Sequence, residues 1–154
     1  GNFIISEDNQ LMAIDFGCMK SIPDEFYVPY FELVHDEYRN DDALFEKKLY
    51  NLEMLIPEDS EETIHYFKTL FRDLLAHFTR PFVMDVFDFS DKEFFNRIAE
   101  YGKTLSQDKT LRKMNGSRGS RHFIYMNRTF FGLYNLLHDL KADKIVINNY
   151  QSFL

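Results

Sequence analysis

The chain begins with Gly1-Asn2-Phe3-Ile4-Ile5-Ser6-Glu7-Asp8-Asn9-Gln10-Leu11-Met12-Ala13-Ile14-Asp15-Phe16-Gly17. Two short apolar runs, residues 3–5 and 11–14, flank the polar segment 6–10. This pattern predicts a β-hairpin, because Asp and Asn tolerate the backbone angles that a turn needs. A hairpin brings its two ends together, so we expect the side chains of Asn2 and Asp15 to lie side by side.

The two residues at the open end of this hairpin have the chemistry of metal ligands. A carboxamide oxygen and a carboxylate are hard donors, and Mg²⁺ usually takes one or two carboxylates together with substrate phosphates. The pattern therefore predicts Asn2 and Asp15 as metal ligands. The alternative interpretation is an ordinary hairpin with polar ends.

The same residues resemble a known arrangement. Asn2, a hairpin and then Asp15-Phe16-Gly17 is similar to the metal-binding part of a protein-kinase-like C-lobe, where an Asn and the Asp of Asp-Phe-Gly hold Mg²⁺ on ATP. The separation of 15 − 2 = 13 residues is one that kinases commonly show. Gly1-Asn2-Phe3, followed by Ile14-Asp15-Phe16-Gly17-Cys18-Met19-Lys20, resembles the UbiB/AarF group of atypical kinases.

This resemblance implies nucleotide chemistry with Mg-ATP as cofactor, either ATP hydrolysis or phosphoryl transfer, linked in the family to quinone-lipid biosynthesis. Asn2 and Asp15 would be the metal ligands, and Gly17 would let the backbone turn after Asp15. The catalytic-loop carboxylate, the phosphate-binding lysine and the N-lobe of the family would precede Gly1. The resemblance therefore implies a fragment that is inactive by itself and does not bind Mg-ATP tightly.

Composition and charge limit the classes of protein to which the chain can belong. The chain has 154 residues, of which 45% are hydrophobic, which is enough for one domain with a sizeable core. Its formal charge of −7 argues against a nucleic-acid partner, and no apolar run is long enough to span a bilayer. The single Cys18 excludes an internal disulfide, so we expect a reducing environment, in the cytoplasm or on a membrane face that the parent protein contacts.

The clearest helix is predicted over residues 60–79. Its apolar residues recur at helical spacing, and Glu61 and Glu62 lie in the first turn, where the helix dipole favours anions. We expect this helix to be the central core element, with three nearly fully buried residues: Phe67, Phe71 and Leu74. A second helix is predicted to start at the capping box Ser90-Asp91-Lys92-Glu93.

Two later stretches carry further interpretation. Residues 108–121 contain five basic side chains around a Gly- and Ser-rich segment: Lys109, Arg112, Lys113, Arg118 and Arg121. This composition indicates either an anion contact or a solvated loop, and the solvated loop is favoured. An apolar repeat over residues 130–140 predicts a helix. Arg128, Gly132 and Leu140-Lys141-Ala142 match a pattern common at the C-terminal end of the UbiB-like lobe.

Together these features predict a mainly α fold, in which the hairpin (residues 2–15) packs on a helical bundle (residues 24–154) as a single partial domain of a kinase-like C-lobe. The rival interpretation is a helical protein-interaction module without nucleotide chemistry. Because a two-stranded hairpin leaves unpaired edges, we expect it to recruit a partner, either the missing N-lobe or a second copy of the chain in a homodimer.

Overall fold

The computed structural model describes residues 2–8, 10–15, 19–113 and 118–147, except for the side chains of Arg112, Lys113 and Ile124. Within these residues the structure is mainly helical, and an antiparallel hairpin stands at the N-terminus, as predicted. The elements, in chain order, are β1 (Phe3–Ile5), β2 (Leu11–Ala13), α1 (Asp24–Glu32), α2 (Asp36–Asn40), α3 (Asp42–Asn51), α4 (Glu61–Phe78), α5 (Arg80–Val83), α6 (Lys92–Gln107), α7 (Lys109–Lys113) and α8 (His122–Asp139).

The hairpin does not contribute to the core. All six strand residues are exposed, and Phe3 and Ile5 at the two ends of β1 keep 43% and 51% of their surface. The expectation that the hairpin packs on the helical bundle is therefore wrong for these strands. Successive side chains of a strand point to opposite faces, so the apolar residues of β1 and β2 are divided between two faces, and both are open.

Side-chain caps fix where three of the helices begin. Asp41 accepts hydrogen bonds from the backbone N–H groups of Ala43 and Leu44 at the start of α3. Ser60 accepts from Thr63 N at 3.2 Å at the start of α4. The capping box predicted at Ser90 is displaced by one residue, because the side chain of Asp91 caps α6.

Helix α1 lies between two apolar clusters. Phe26 and Leu33 belong to a first cluster with buried residues of α3, α4 and the segment that joins those two helices. Phe31 and Val34, on and just after α1, belong to a second cluster with the Phe-rich connector after α5, with α6 and with α8. The chain runs through Pro29 without leaving the helix, so this proline does not divide α1.

Helix α4 is less central than the sequence predicts. Phe67 is 2% exposed and belongs to the first cluster, but Phe71 and Leu74 are only half-buried. The reason is that Phe71 and Leu74 line a cavity rather than a filled core. Helix α1, which contributes buried residues to both clusters, has the role that we expected of α4.

The connector that follows α4 is partly helical. Residues 82 and 83 are the last two residues of α5, and the chain is extended after them. The extended part then forms an isolated antiparallel bridge, in which Phe87 exchanges backbone hydrogen bonds of 2.8 and 2.9 Å with Ile145. Phe89 N also donates to Ala142 O at 2.9 Å, so this connector and the segment after α8 are held together.

A part-buried ion pair fixes the segment before α8. Arg118 donates to both carboxylate oxygens of Asp59, at 2.7 and 2.5 Å, and its guanidinium lies 4.5 Å from the ring centroid of Phe67. Gly119 follows with φ +84°, a conformation that favours glycine, and its N–H donates to Glu53 O. The interpretation of residues 108–121 as a solvated loop is wrong at Arg118, and Lys109–Lys113 form α7 instead.

The difference between Phe67 and Phe71 gives a first prediction. Phe67→Ala should lower the free energy of unfolding by about 3–5 kcal/mol, the range for a buried Phe, because it leaves a cavity in the first cluster. Phe71→Ala, on the same face of α4, should cost less than half as much because that side chain already borders open space. Chemical denaturation measures both, and equal losses would contradict the distinction.

The Asp59–Arg118 pair gives a second prediction. The hydrogen bond from Arg118 lowers the pKa of Asp59, so the ionised carboxylate stabilises the folded state above the carboxyl's unfolded pKa of about 3.9. That contribution is lost as the pH falls through the lower folded pKa. Asp59→Asn should therefore cost about 1.5–3 kcal/mol at pH 7, the usual worth of hydrogen bonds to charged groups, and should flatten the acid limb of the stability profile.

The control for this prediction is an exposed ion pair. Asp36 contacts Arg39 but its side chain is 75% exposed, so Asp36→Asn should cost less than about 1 kcal/mol. Urea denaturation between pH 7 and pH 2 measures both variants. An Asp59→Asn profile parallel to that of the unsubstituted chain would contradict the proposed linkage.

Candidate functional site

The N-terminal hairpin has a fixed register. Phe3 pairs with Ala13, Ile4 with Met12, and Ile5 with Leu11. At the turn, Ser6 N donates to Gln10 O at 2.9 Å, and the Ser6 hydroxyl accepts from Gln10 N at 3.0 Å. This closed turn sets which residues lie opposite each other at the open end.

The predicted ligands lie at that open end. Ile14 N donates to Asn2 O at 2.9 Å, so the pairing continues one step beyond the assigned strands. Asp15 follows Ile14 directly, and both Asn2 and Asp15 are exposed. The backbone therefore brings these two residues to the same end of the hairpin, while the predicted Gly17 lies outside the residues that the structure describes.

The pleat limits how the two side chains can meet. Opposed residues of an antiparallel pair share a face, and neighbours along one strand alternate. In a regular ladder, Asn2 would share its face with Ile14, and Asp15 would point to the other face. Both residues lie outside the assigned strands, so a shared ion requires the backbone to leave the regular pleat at Asp15.

The donor set fits a cation that brings other ligands with it. Asn2 and Asp15 offer one amide oxygen and one carboxylate, both of which suit Mg²⁺. In the described part of the chain, no group of three or more His, Cys, Asp or Glu side chains is placed to hold a metal ion. An ion held by Asn2 and Asp15 therefore needs most of its coordination from phosphate oxygens and water.

Positive charge lies near the start of α8. Lys20, five residues after Asp15, places its ammonium group 3.9 Å from the centroid of the Tyr125 ring. His122 has a lowered pKa because it is desolvated and because Lys20 and Arg121 are close enough to repel a proton on its ring. Its Nδ1 is buried, and no hydrogen-bond partner lies among the described residues.

The predicted basic cluster is divided by the fold. Arg118 is bound to Asp59 and half-buried, so it stabilises the fold and does not contribute to an anion-binding surface. Lys109 lies on α7, and Arg121 precedes α8. The spacing of basic residues gave no sign of this division, because the partner of Arg118 lies 59 residues earlier in the chain.

One concave feature was missed at the sequence level. A cavity of about 780 Å³ lies between α4, α6 and α8, with residues of α1 also lining it. Its residues were read as a core stripe on α4 and as an apolar repeat on α8. Periodicity indicates that an apolar face is covered, but it does not distinguish close packing from the wall of a cavity.

No family model, no curated protein and no solved structure matches the chain. In the parts of the chain that the structure describes, none of the helices is both long and apolar enough to cross a membrane.

Proposed function

We propose that this chain carries the magnesium-binding end of a kinase-like C-lobe of the UbiB/AarF type. The observation that supports the proposal is the hydrogen bond from Ile14 N to Asn2 O, which brings Asp15 to the same end of the hairpin as Asn2. The residue order Asn, hairpin, Asp, and the choice of oxygen donors, are those that Mg-ATP chemistry needs.

The roles in this proposal belong to few residues. Asn2 and Asp15 hold the metal ion, Gly17 frees the backbone after Asp15, and the polyphosphate supplies further oxygens to the ion. When bound, Mg-ATP supplies the phosphoryl group that is transferred or hydrolysed. In the family this chemistry is linked to quinone-lipid biosynthesis, which is the process we assign to the parent protein.

Catalysis needs more than these side chains. Phosphoryl transfer depends on positioning and charge stabilisation by a lysine, a catalytic-loop carboxylate and the metal ligands together. Only the metal ligands have matched positions in this sequence. We therefore assign the chain the metal-binding part of this chemistry.

The proposal predicts where a paramagnetic ion binds. Mn²⁺ added with ADP should broaden the amide NMR signals of Asn2, Ile14 and Asp15 before those of Glu7 and Asp8 at the turn. Asp15→Asn should abolish this selective broadening, because it replaces the carboxylate with a weaker, uncharged ligand. Asp8→Asn is the matched control on the same hairpin and should leave the broadening unchanged.

Three results would overturn the metal assignment: broadening centred on the turn, broadening that is independent of ADP, or broadening that survives Asp15→Asn. The family assignment has a separate test in the coding sequence upstream of the Gly1 codon. A His- and Pro-rich loop with an Asp a few codons before Gly1 supports it, and a continuous unrelated sequence there contradicts it.

A protein-interaction module is the second candidate, and one observation favours it. The hairpin exposes apolar side chains on both faces, with Ile4 at 47% on one face and Phe3 at 43% on the other, and both of its strands are edges. Exposed apolar patches and unpaired strand edges recruit partners. The partner would be the N-lobe of the parent protein or a second copy of this chain.

This surface predicts self-association of the isolated chain. Light scattering coupled to size exclusion, over a concentration series, should show a dimer that weakens when Ile4→Lys places a charge on the hairpin. Val86→Lys is the control, because Val86 is similarly exposed, at 46%, but lies far from the hairpin in sequence. A strict monomer at high concentration, or equal effects of the two substitutions, would contradict association through the hairpin.

A further inference from the structure

The cavity between α4, α6 and α8 is too large to be a packing defect. Its volume of about 780 Å³ is roughly five times that of the engineered 150 Å³ apolar cavity that stays dry and binds benzene. It also falls within the range of about 300–1,000 Å³ typical of small-molecule sites. Exposed residues, Gly102 on α6 and Asn135 on α8, lie at its edge, so the cavity communicates with solvent.

Hydrogen bonds hold the walls of this cavity at fixed positions. The Tyr101 hydroxyl on α6 donates to Leu70 O on α4 at 2.8 Å. The Tyr134 hydroxyl on α8 donates to Phe78 O at the end of α4 at 3.2 Å. Because each phenol bonds a backbone carbonyl of the same helix, α6 and α8 are both tied to α4 while the space between them stays open.

The lining excludes a charged ligand. Among the described residues that line the cavity, none is Lys, Arg, Asp or Glu, and aromatic and aliphatic side chains predominate. An ionised carboxylate or phosphate placed there would lose its hydration without gaining a partner, which is strongly unfavourable. The occupant is therefore uncharged over the part that enters.

Helix α8 arranges the polar groups of the cavity in a line. Asn127, Phe130, Tyr134 and His138 all line the cavity, and their spacing keeps them on one helical face. Asn127 and His138 are 138 − 127 = 11 residues apart. At about 1.5 Å rise per residue, they lie roughly 16 Å apart along the helix, with an aromatic surface between them.

The hydrogen bonds that Asn127 and His138 already make determine which donor or acceptor each end of the cavity presents to a ligand. Asn127 accepts from the Tyr30 hydroxyl through Oδ1 at 3.1 Å, and its Nδ2 is a donor. His138 Nδ1 lies 2.7 Å from Phe89 O, and a carbonyl only accepts, so Nδ1 carries the proton and donates. In the uncharged ring, Nε2 is then an acceptor. One end of the cavity offers a donor, and the other offers an acceptor.

We propose that this cavity binds an elongated, uncharged and mostly hydrocarbon molecule that carries a hydroxyl or carbonyl group at an end. A carbonyl oxygen accepts from Asn127 Nδ2, and a hydroxyl group donates to His138 Nε2. The apolar body lies along Phe130 and Tyr134 and against Phe71 and Leu74 of α4. This site is independent of the hairpin and of any nucleotide.

The test uses the intact 154-residue chain and Nile red, an uncharged fluorescent dye. Dodecan-1-ol should displace the dye, and dodecanoate, the ionised acid of the same chain length, should be at least about tenfold weaker because its charge has no partner. Absence of dye binding, or equal displacement by the alcohol and the acid, would overturn the proposal.

Two matched substitutions locate the site. Gly102 lines the cavity and Gly132 does not, and a Cβ atom at either position meets no other atom within 4 Å. Gly102→Leu should weaken dye binding at least about fivefold, whereas Gly132→Leu should not. Both replace a helical Gly by a good helix former, which favours folding by up to about 1 kcal/mol. Equal effects would place the dye elsewhere.

A second measurement does not depend on variants. Methyl NMR signals of Leu74, Leu75 and Ile98 should shift on addition of dodecan-1-ol, because these residues line the cavity. The methyl groups of Ile4 and Ile5 on the exposed hairpin should not. Shifts centred on the hairpin would show that the alcohol binds the apolar strands, and this would refute the cavity assignment.

Discussion

Helix α1 is buried from two sides, and the rest of the helical fold is arranged around that constraint. Phe26 is directed to one apolar cluster and Phe31 to the other, each less than 5% exposed. Burying large aromatic side chains is worth about 1.5–3 kcal/mol each, so a nine-residue helix that would not be stable alone is held by its neighbours. The aromatic contacts of Tyr30 with Phe26 and Phe31 join the two clusters across the helix.

Both clusters border the open cavity. Leu33, Leu49 and Met54 of the first cluster and Phe31, Val34 and Tyr134 of the second all line it. The first cluster is closed on the side away from the cavity, where Phe45 and Leu52 are 0% exposed and the Asp59–Arg118 pair lies beside Phe67. Helix α4 is therefore well packed near Phe67 and borders open space from Phe71 onwards.

Local features of the chain were the most predictable. The polar segment between two apolar runs predicted the hairpin, and the apolar repeat with its acidic first turn predicted α4, because both depend on interactions between residues close in sequence. Burial of Phe71 could not be predicted in this way, since an apolar stripe shows that a face is turned inward but not how closely a neighbour approaches it. The position of Arg118 was also beyond local reasoning, because Asp59 is distant in sequence.

The sequence predicted where the backbone places the candidate metal ligands, but not the direction of their side chains. Turn length and strand length bring Asn2 and Asp15 to one end of the hairpin, and this follows from the alternation of apolar and polar residues. The direction of the two side chains does not follow, because it depends on how the backbone leaves the ladder at Asp15.

Because of the bridge between Phe87 and Ile145, the second cluster forms later than the first during synthesis. The buried residues of the first cluster all come from positions 26–67, so they are available early as the chain emerges. The bridge closes a loop of 145 − 87 = 58 residues, and the second cluster also needs Tyr134 of α8. Contacts of such long sequence separation form late, because the loop entropy must be overcome before they are made. On the ribosome, the first cluster can therefore serve as a template on which α6 and α8 later assemble.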